Sequence, residues 1–214
     1  MKRLLPLSSL LKPARIRALL SFGVKGYLAE TGWFNSFDSR TPVDAQGQPI
    51  PWVTYSFIDF ISERIRKDHR IFEFGSGNST WFYAKNAGQV VSVEHDRAWY
   101  EKVLQQKPAN AEIIFSELVP DGEYSRMPLS ADGPYDIIIV DGRDRVNCCR
   151  NCLPALSEHG VIVLDDSERE FYGPAVEFLT AAGFRHLSFS GISPGLFYRK
   201  STSVFYKPNN CLGV

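Results

Sequence analysis

The feature of the sequence that most restricts its fold is an alternation of short apolar runs and helical stretches that begins at residue 70. Most of these runs are continuously apolar, which is typical of parallel strands covered by helices on both faces. The alternation predicts a doubly wound α/β sheet. The runs predict strands at 70–74, 89–94, 111–116, 135–140 and 160–165, and the stretches predict helices at 79–87, 96–106 and 143–157.

The end of the chain departs from this alternation. After a helical pattern near residues 170–182, two further strands are predicted at 185–190 and 202–207. Only about eleven residues without a helical pattern separate them, too few for an easy crossover helix. We therefore predict a hairpin that makes the last strand antiparallel, which is not how a plain dinucleotide-binding domain ends.

The chain before the first strand differs in composition. Residues 31–52 are rich in glycine, proline and aromatic side chains and predict a structured loop, whereas residues 54–67 predict an amphipathic helix. We divide the chain into a basic N-terminal segment with an aromatic-rich lid (1–52) and an α/β domain (53–214).

The first 29 residues carry six basic side chains and no acid before Glu30, although the whole chain has zero formal net charge. The overall charge gives no reason to expect a nucleic-acid partner. No apolar run reaches the roughly 18 residues of a membrane helix. We expect a cytoplasmic protein. Residues 1–29 form either a solvated or packed arm, or a peripheral contact with a membrane or a protein.

Three of the four cysteines lie close together at Cys148, Cys149 and Cys152, and the fourth is Cys211. No second Cys-x-x-Cys pair exists for zinc, and no thioredoxin-like strand precedes the first pair. We predict that they are small buried apolar residues.

The turn after the first predicted strand marks a ligand site. Ligands of doubly wound sheets lie beyond the carboxyl ends of the strands. Gly75-Ser76-Gly77 lets the backbone approach such a ligand closely. Glu94 ends the second predicted strand, 21 residues after Glu73, where a carboxylate can accept both hydroxyls of an adenosine ribose.

The same turn discriminates between adenosine ligands. Thr80 stands where a dinucleotide fingerprint has its third glycine. The strand ends also gather acids that would repel a pyrophosphate but suit a partly cationic sulfonium amino acid. These acids are Glu73, Glu94, Asp141, Asp165 and Asp166.

The segments "FEFGSGNST", "VVSVEHD" and "YDIIIVDG", together with the terminal hairpin, resemble the class I S-adenosylmethionine-dependent methyltransferases over about residues 53–207. The resemblance implies a Rossmann-like sheet of seven strands and S-adenosylmethionine as cofactor. It assigns the methionine part to Glu73, Gly75, Ser76 and Gly77, the ribose to Glu94, and the surroundings of the adenine to Ser116 and Glu117.

Asp141, Asp165 and Asp166 are similar to the metal-binding acids of catechol-type and macrolide-sugar O-methyltransferases. That similarity implies a Mg²⁺ ion that activates an acceptor hydroxyl; without metal, Asp141 would face the positive end of the donor. Asp144 stands where catechol-type enzymes have a lysine base. We therefore name Asp141 as a catalytic candidate and His95 as a weaker one, chosen by its chemistry alone.

The acceptor is less defined by the sequence. Trp33, Phe34, Trp52 and Tyr55 either line an acceptor pocket or anchor the lid to the core, and Arg199 and Lys200 would favour an acidic or sugar-phosphate acceptor. We expect methyl transfer to a small or glycan-related hydroxyl. The alternatives are an NAD(P)-dependent oxidoreductase or epimerase, and a non-catalytic binding protein that retains a donor site.

Overall fold

The computed structural model describes residues 12–214 and shows a seven-stranded sheet with the order β3-β2-β1-β4-β5-β7-β6. The strands are β1 (Arg70–Phe74), β2 (Gln89–Glu94), β3 (Ala111–Phe115), β4 (Tyr135–Val140), β5 (Leu156–Asp165), β6 (Arg185–Gly191) and β7 (Lys200–Tyr206). The first five pair in parallel, and β7 lies antiparallel between β5 and β6. The predicted fold class, including the antiparallel last strand, is confirmed.

Helices flank the sheet and also precede it. They are α1 (Pro13–Ser21), α2 (Tyr27–Glu30), α3 (Trp33–Ser39), α4 (Tyr55–Ser62), α5 (Asn78–Asn86), α6 (Arg97–Leu104), α7 (Glu123–Ser130), α8 (Arg145–Asn151) and α9 (Gly173–Ala181). Single 3₁₀ turns lie at Leu153–Ala155 and Glu170–Tyr172. The helix predicted over 143–157 is therefore shorter: α8 ends at Asn151, and a 3₁₀ turn that contains Pro154 follows it.

The sequence did not predict every element. The predicted loop 31–52 contains α3, and the segment between β3 and β4 contains α7 despite Pro128 inside it. Both helices are short, α3 contains no strong helix former and α7 contains Pro128, so packing rather than local propensity holds them.

Apolar clusters cover both faces of the sheet. Alternate residues along β1 point to opposite faces: Ile71 packs with the cluster under α4 and α5, and Phe72 packs with the cluster under α7, α8 and α9. The apolar runs are continuous because both faces are covered. Cys148, Cys149 and Cys152 are fully buried free thiols in the second cluster, as predicted.

The segment before β1 packs over the carboxyl ends of the strands. Trp33 is buried and its Nε1 donates to the Leu196 carbonyl in the β6–β7 loop. Asn78 Nδ2, at the start of α5, donates to the Pro42 carbonyl at 2.7 Å. Residues 31–52 therefore form one wall above the predicted ligand turn.

The N-terminal arm precedes this wall. Residues 1–11 of the predicted basic segment lie outside the described residues. In the part that the structure describes, no helix combines the length and the apolar character needed to cross a membrane.

Candidate active site

The turn after β1 is a close-packed glycine loop. Gly75 has φ +96°, and a Cβ there would lie 3.4 Å from Gly142 Cα in the β4 turn. Gly77 has φ +151°, which L side chains rarely adopt. Trp99 Nε1 donates to the Ser76 carbonyl at 2.8 Å and fixes the loop from the β2 side.

Thr80 stands at the position of the third glycine of a dinucleotide fingerprint, and its hydroxyl has a structural role there. Its Oγ1 accepts from Gly77 N at 3.1 Å and donates to Glu73 Oε2 at 2.7 Å. Ser92 Oγ also donates to Glu73 Oε2, at 2.9 Å. Burial raises the pKa of Glu73 to about 7, although these hydroxyl donors oppose the rise. The Glu73 carboxylate therefore holds the loop from beneath, and its assignment to the methionine part stays a prediction.

Glu94 ends β2 beside the loop, as the spacing predicted. Its Oε2 accepts from Ser76 N and Ser76 Oγ, and its Oε1 accepts from His95 N and Asp96 N, all within 3.1 Å. These donors fill the roughly four lone-pair positions of a carboxylate. A ribose can reach Glu94 only if the Ser76 hydroxyl turns away.

A cleft of about 390 Å³ runs from this loop to the end of β4. It brings together most of the predicted donor residues, namely Glu73, Gly75, Ser76, Glu94 and Asp141. Ser116 is buried beyond Glu94, and its Oγ has no hydrogen-bond partner among the described residues. Both the loop, whose glycines at positive φ let the backbone approach a ligand, and this unsatisfied hydroxyl fit a nucleoside ligand such as S-adenosylmethionine.

His95 also lines this cleft, which we call the donor cleft because it contains most of the residues predicted to bind the methyl donor. Its Nδ1 lies 3.0 Å from Glu94 Oε1, and its ring packs edge-on against Tyr124 at 6.0 Å between centroids. The imidazole therefore lies on the Glu94 side of the cleft, and a catalytic role for His95 stays a prediction.

A second cleft, of about 540 Å³, adjoins the donor cleft. We call it the aromatic cleft because Trp52, Trp81 and Trp99 line it, with Arg40 and Lys102 beside them. It shares Ser76, Ser79 and Asp141 with the donor cleft. The two clefts therefore meet at Asp141.

Of the four aromatic residues predicted for an acceptor pocket, only Trp52 lines the aromatic cleft. Trp33 and Tyr55 are buried in the core and Phe34 packs against it, so these three anchor the lid. Local periodicity did not reveal Trp81 and Trp99, because α5 and α6 carry them to the cleft from opposite sides of the loop.

Asp141, Asp165 and Asp166 do lie together at the ends of β4 and β5, and basic side chains pair with each of them. Arg145 NH2 lies 3.0 Å from Asp141 Oδ1, and Arg145 NH1 lies 3.3 Å from Asp166 Oδ2. Lys200 Nζ lies 2.5 Å from Asp165 Oδ2 and 3.0 Å from Asp166 Oδ1. The cluster is therefore a network of ion pairs.

The predicted Mg²⁺ site at Asp141, Asp165 and Asp166 does not fit this arrangement. Thr202 Oγ1 takes the second oxygen of Asp165, and Arg169 NH2 lies 3.0 Å from Asp166. Among residues 12–214, no group of three acidic, histidine or cysteine side chains is placed to hold a metal ion. Three basic side chains balance the three carboxylates, which removes the need for a metal.

Lys200 was also expected at the acceptor rim. It is instead buried in this network, whereas Arg199 is exposed. Burial alone would lower the pKa of Lys200, but the carboxylates of Asp165, Asp141 and Asp166 raise it above its usual value. Lys200 therefore stays charged and serves the network, not a ligand.

Comparison with known sequences also indicates a methyltransferase. A family model described as a methyltransferase domain (Methyltransf_24) matches residues 72–167, which run from β1 to just beyond β5. No curated protein matches the chain.

Several solved structures share the fold. A methyltransferase-like protein from Silicibacter pomeroyi is 22% identical, with TM-score 0.54, over 76% of this chain and 91% of that chain. A putative caffeoyl-CoA O-methyltransferase from Staphylococcus aureus is 14% identical, with TM-score 0.57, over 89% and 98%. The O-methyltransferase TomG from Streptomyces achromogenes, in complex with SAM, is 16% identical, with TM-score 0.56, over 89% and 95%.

The family match covers the glycine loop, Glu94 and Asp141, and the sheet has the seven strands with an antiparallel last strand that the resemblance implies. Residues 72–167 thus match a methyltransferase-domain family, and the chain has a Rossmann-like methyltransferase fold.

Proposed function

We propose that this protein transfers the methyl group of S-adenosylmethionine to a hydroxyl oxygen of a small, ring-containing acceptor, glycan-related and carrying an acidic group. The observation that carries the proposal is the junction of the two clefts at Asp141. A donor in one cleft and an acceptor in the other would meet there, and such alignment supplies much of the rate enhancement in a displacement reaction.

The donor cleft supports the first half of the proposal. The glycine loop admits a ligand close to the backbone of Gly75 and Gly77, Glu94 lies where a ribose would bind, and Ser116 Oγ offers an unused hydrogen bond. The donor supplies an activated methyl group when it is bound. The protein's part is to orient it and to exclude water.

The aromatic cleft supports the acceptor class. The faces of Trp52, Trp81 and Trp99 suit the apolar face of a sugar or another ring, and Arg40 and Lys102 suit a carboxylate or phosphate attached to it. Two of the similar structures are named as O-methyltransferases, which favours oxygen as the methylated atom.

Asp141 is the residue that we assign to the reaction. As the new O–CH₃ bond forms and the C–S bond breaks, the acceptor hydroxyl must lose its proton, and the Asp141 carboxylate can accept it. Burial, and then the charge of Asp165, raise the pKa of Asp141 well above its usual value, which makes it a better proton acceptor. Arg145 holds one oxygen of Asp141 in place.

Donor binding is tested by calorimetric titration with S-adenosylhomocysteine. We expect Glu94→Ala to lose most of the affinity, whereas Glu101→Ala, an exposed control on α6, should bind normally. No heat of binding at about 1 mM ligand would contradict the proposal. A titration with NADH tests the oxidoreductase alternative.

Methyl transfer is tested with radiolabelled donor and pools of uronic acids, sugar phosphates and phenolic acids. Trp52→Ala should raise the acceptor KM, and Asp141→Asn should lower kcat. If every pool stays unlabelled although the donor binds, the non-catalytic binding protein is the better description.

A further inference from the structure

Helix α1 carries an apolar stripe that no described part of the protein covers. Ile16, Leu19 and Leu20 follow the spacing of one helix face and are 41%, 51% and 74% exposed. No residue of α1 is buried. Packing against the domain therefore does not account for the apolar face of this helix.

The exposed apolar surface continues beyond α1. Phe22, Val24 and Tyr27 are also exposed, which places six large apolar side chains within residues 16–27. Single exposed apolar residues are ordinary, but a contiguous patch marks a surface that binds something. We call residues 12–27 the exposed arm.

The charge of the exposed arm is of one sign. Lys12, Arg15, Arg17 and Lys25 are its charged residues, and the first acid along the chain is Glu30. On a helix, Arg15 and Arg17 lie on either side of the Ile16–Leu19–Leu20 stripe. Long basic side chains beside an apolar stripe can keep their charges in water while the stripe enters an apolar phase.

We propose that the exposed arm binds the surface of an anionic lipid bilayer. The stripe would enter the boundary between headgroups and acyl chains, and the flanking basic side chains would contact lipid phosphates. The nine residues of α1 are far too few to span a bilayer, so the helix would lie in the membrane plane. The uniform charge favours an anionic surface over a second copy of the same basic helix.

The arm is joined to the domain close to the aromatic cleft. The Tyr27 ring packs edge-on against Tyr55 at 5.9 Å between centroids, and α3 then leads directly to Arg40, Thr41 and Pro42 in the cleft wall. Lipid binding would therefore hold the aromatic cleft of the proposed methyltransferase close to the membrane surface. The lipid contact itself does not depend on the proposed reaction.

The test is co-sedimentation of the full chain with vesicles of phosphatidylcholine alone, or with about 30% phosphatidylserine added. We expect at least roughly tenfold stronger binding to the anionic vesicles, and its loss in about 0.5 M NaCl. The double change Leu19→Asp, Leu20→Asp and the double change Arg15→Gln, Arg17→Gln should each abolish pelleting. Leu129→Asp, which adds an acid at an exposed leucine on α7, should pellet like the unchanged protein.

Every variant should keep the thermal midpoint and the S-adenosylhomocysteine affinity of the unchanged protein, which separates this test from that of the proposed function. Equal pelleting of the arm variants and the unchanged protein would overturn the proposal. A second result would also overturn it: a protein that never pellets with vesicles, is a dimer in light scattering, and becomes a monomer on the double change Leu19→Asp, Leu20→Asp. The stripe would then be a subunit interface.

Discussion

Lys200 Nζ lies 2.5 Å from Asp165 Oδ2, at the point where β7 inserts antiparallel beside β5. The register pairs Asp165 with Thr202, so the chain places Lys200 just beyond the carboxyl end of β5. The antiparallel strand β7 thus begins where β5 ends. It therefore brings the basic side chain of Lys200 to the acidic residues at the end of β5. This contact, together with those of Arg145, balances the charge of the three neighbouring carboxylates.

Removal of Lys200 should strongly destabilise the fold. Lys200→Met leaves Asp165 and Asp166 buried with one fewer basic partner, and breaking a buried pair in this way costs about 3–5 kcal/mol. The measurement is the free energy of unfolding in urea, with Arg199→Met as an exposed neighbouring control. Equal unfolding midpoints for the two variants would show that the network contributes nothing.

Divalent metal should be dispensable. Because basic side chains already balance the carboxylates, EDTA and MgCl₂ should leave the thermal midpoint and the S-adenosylhomocysteine affinity unchanged. Differential scanning fluorimetry and calorimetry measure the two quantities. A rise in either one on Mg²⁺ addition, reversed by EDTA, would restore the metal site.

Glu73 should make stability fall as the pH rises. Its folded pKa is about 7, against 4.5 for an ordinary glutamate, so between these values the folded protein holds more protons than the unfolded chain. The resulting loss is complete above about pH 7 and amounts to about 3 kcal/mol. Urea unfolding at about pH 5 and about pH 8 measures the slope.

Glu73→Gln should remove this dependence, because a glutamine side chain does not titrate. Glu63→Gln, at an exposed position just after α4, should leave the slope as it is. A slope that survives Glu73→Gln would assign the dependence to another group.

Gly142 should tolerate no side chain. A Cβ there would lie 2.9 Å from the Phe74 carbonyl carbon and oxygen and would also meet the Tyr124 hydroxyl, so the β1 and β4 turns would have to separate. Gly142→Ala should weaken S-adenosylhomocysteine binding at least roughly tenfold, by the loss of pre-formed geometry. Gly191→Ala, whose Cβ would find only Ser56 Oγ at 3.8 Å, is the control.

Ser76→Ala should not weaken donor binding. The Ser76 hydroxyl occupies a position on Glu94 that a ribose would need, and alanine vacates it. We expect equal or up to about fivefold tighter binding of S-adenosylhomocysteine, since one hydrogen bond has a net worth of about 1 kcal/mol. A clear loss of affinity would show that the hydroxyl contacts the ligand directly, as the resemblance implies.

The sequence by itself determined where the seven strands lie along the chain, the glycine turn and the acid at the end of β2. These follow from local periodicity and from the rule that parallel strands end at one edge of a sheet. The antiparallel direction of the last strand could also be predicted, because the eleven residues between the last two strands leave no room for a crossover helix. The position of Glu94 beside Ser76 needed only the pairing of β1 with β2.

Only the tertiary structure decided what the acids contact. Lys200 reaches Asp165 across 35 residues of sequence, and Trp81 and Trp99 line one cleft from two different helices, arrangements that depend on register and side-chain direction. No local pattern carries that information, because the same lysine one residue along β7 would point to the opposite face of the sheet. The sequence thus located the donor loop, and packing decided that protein side chains balance its acidic rim.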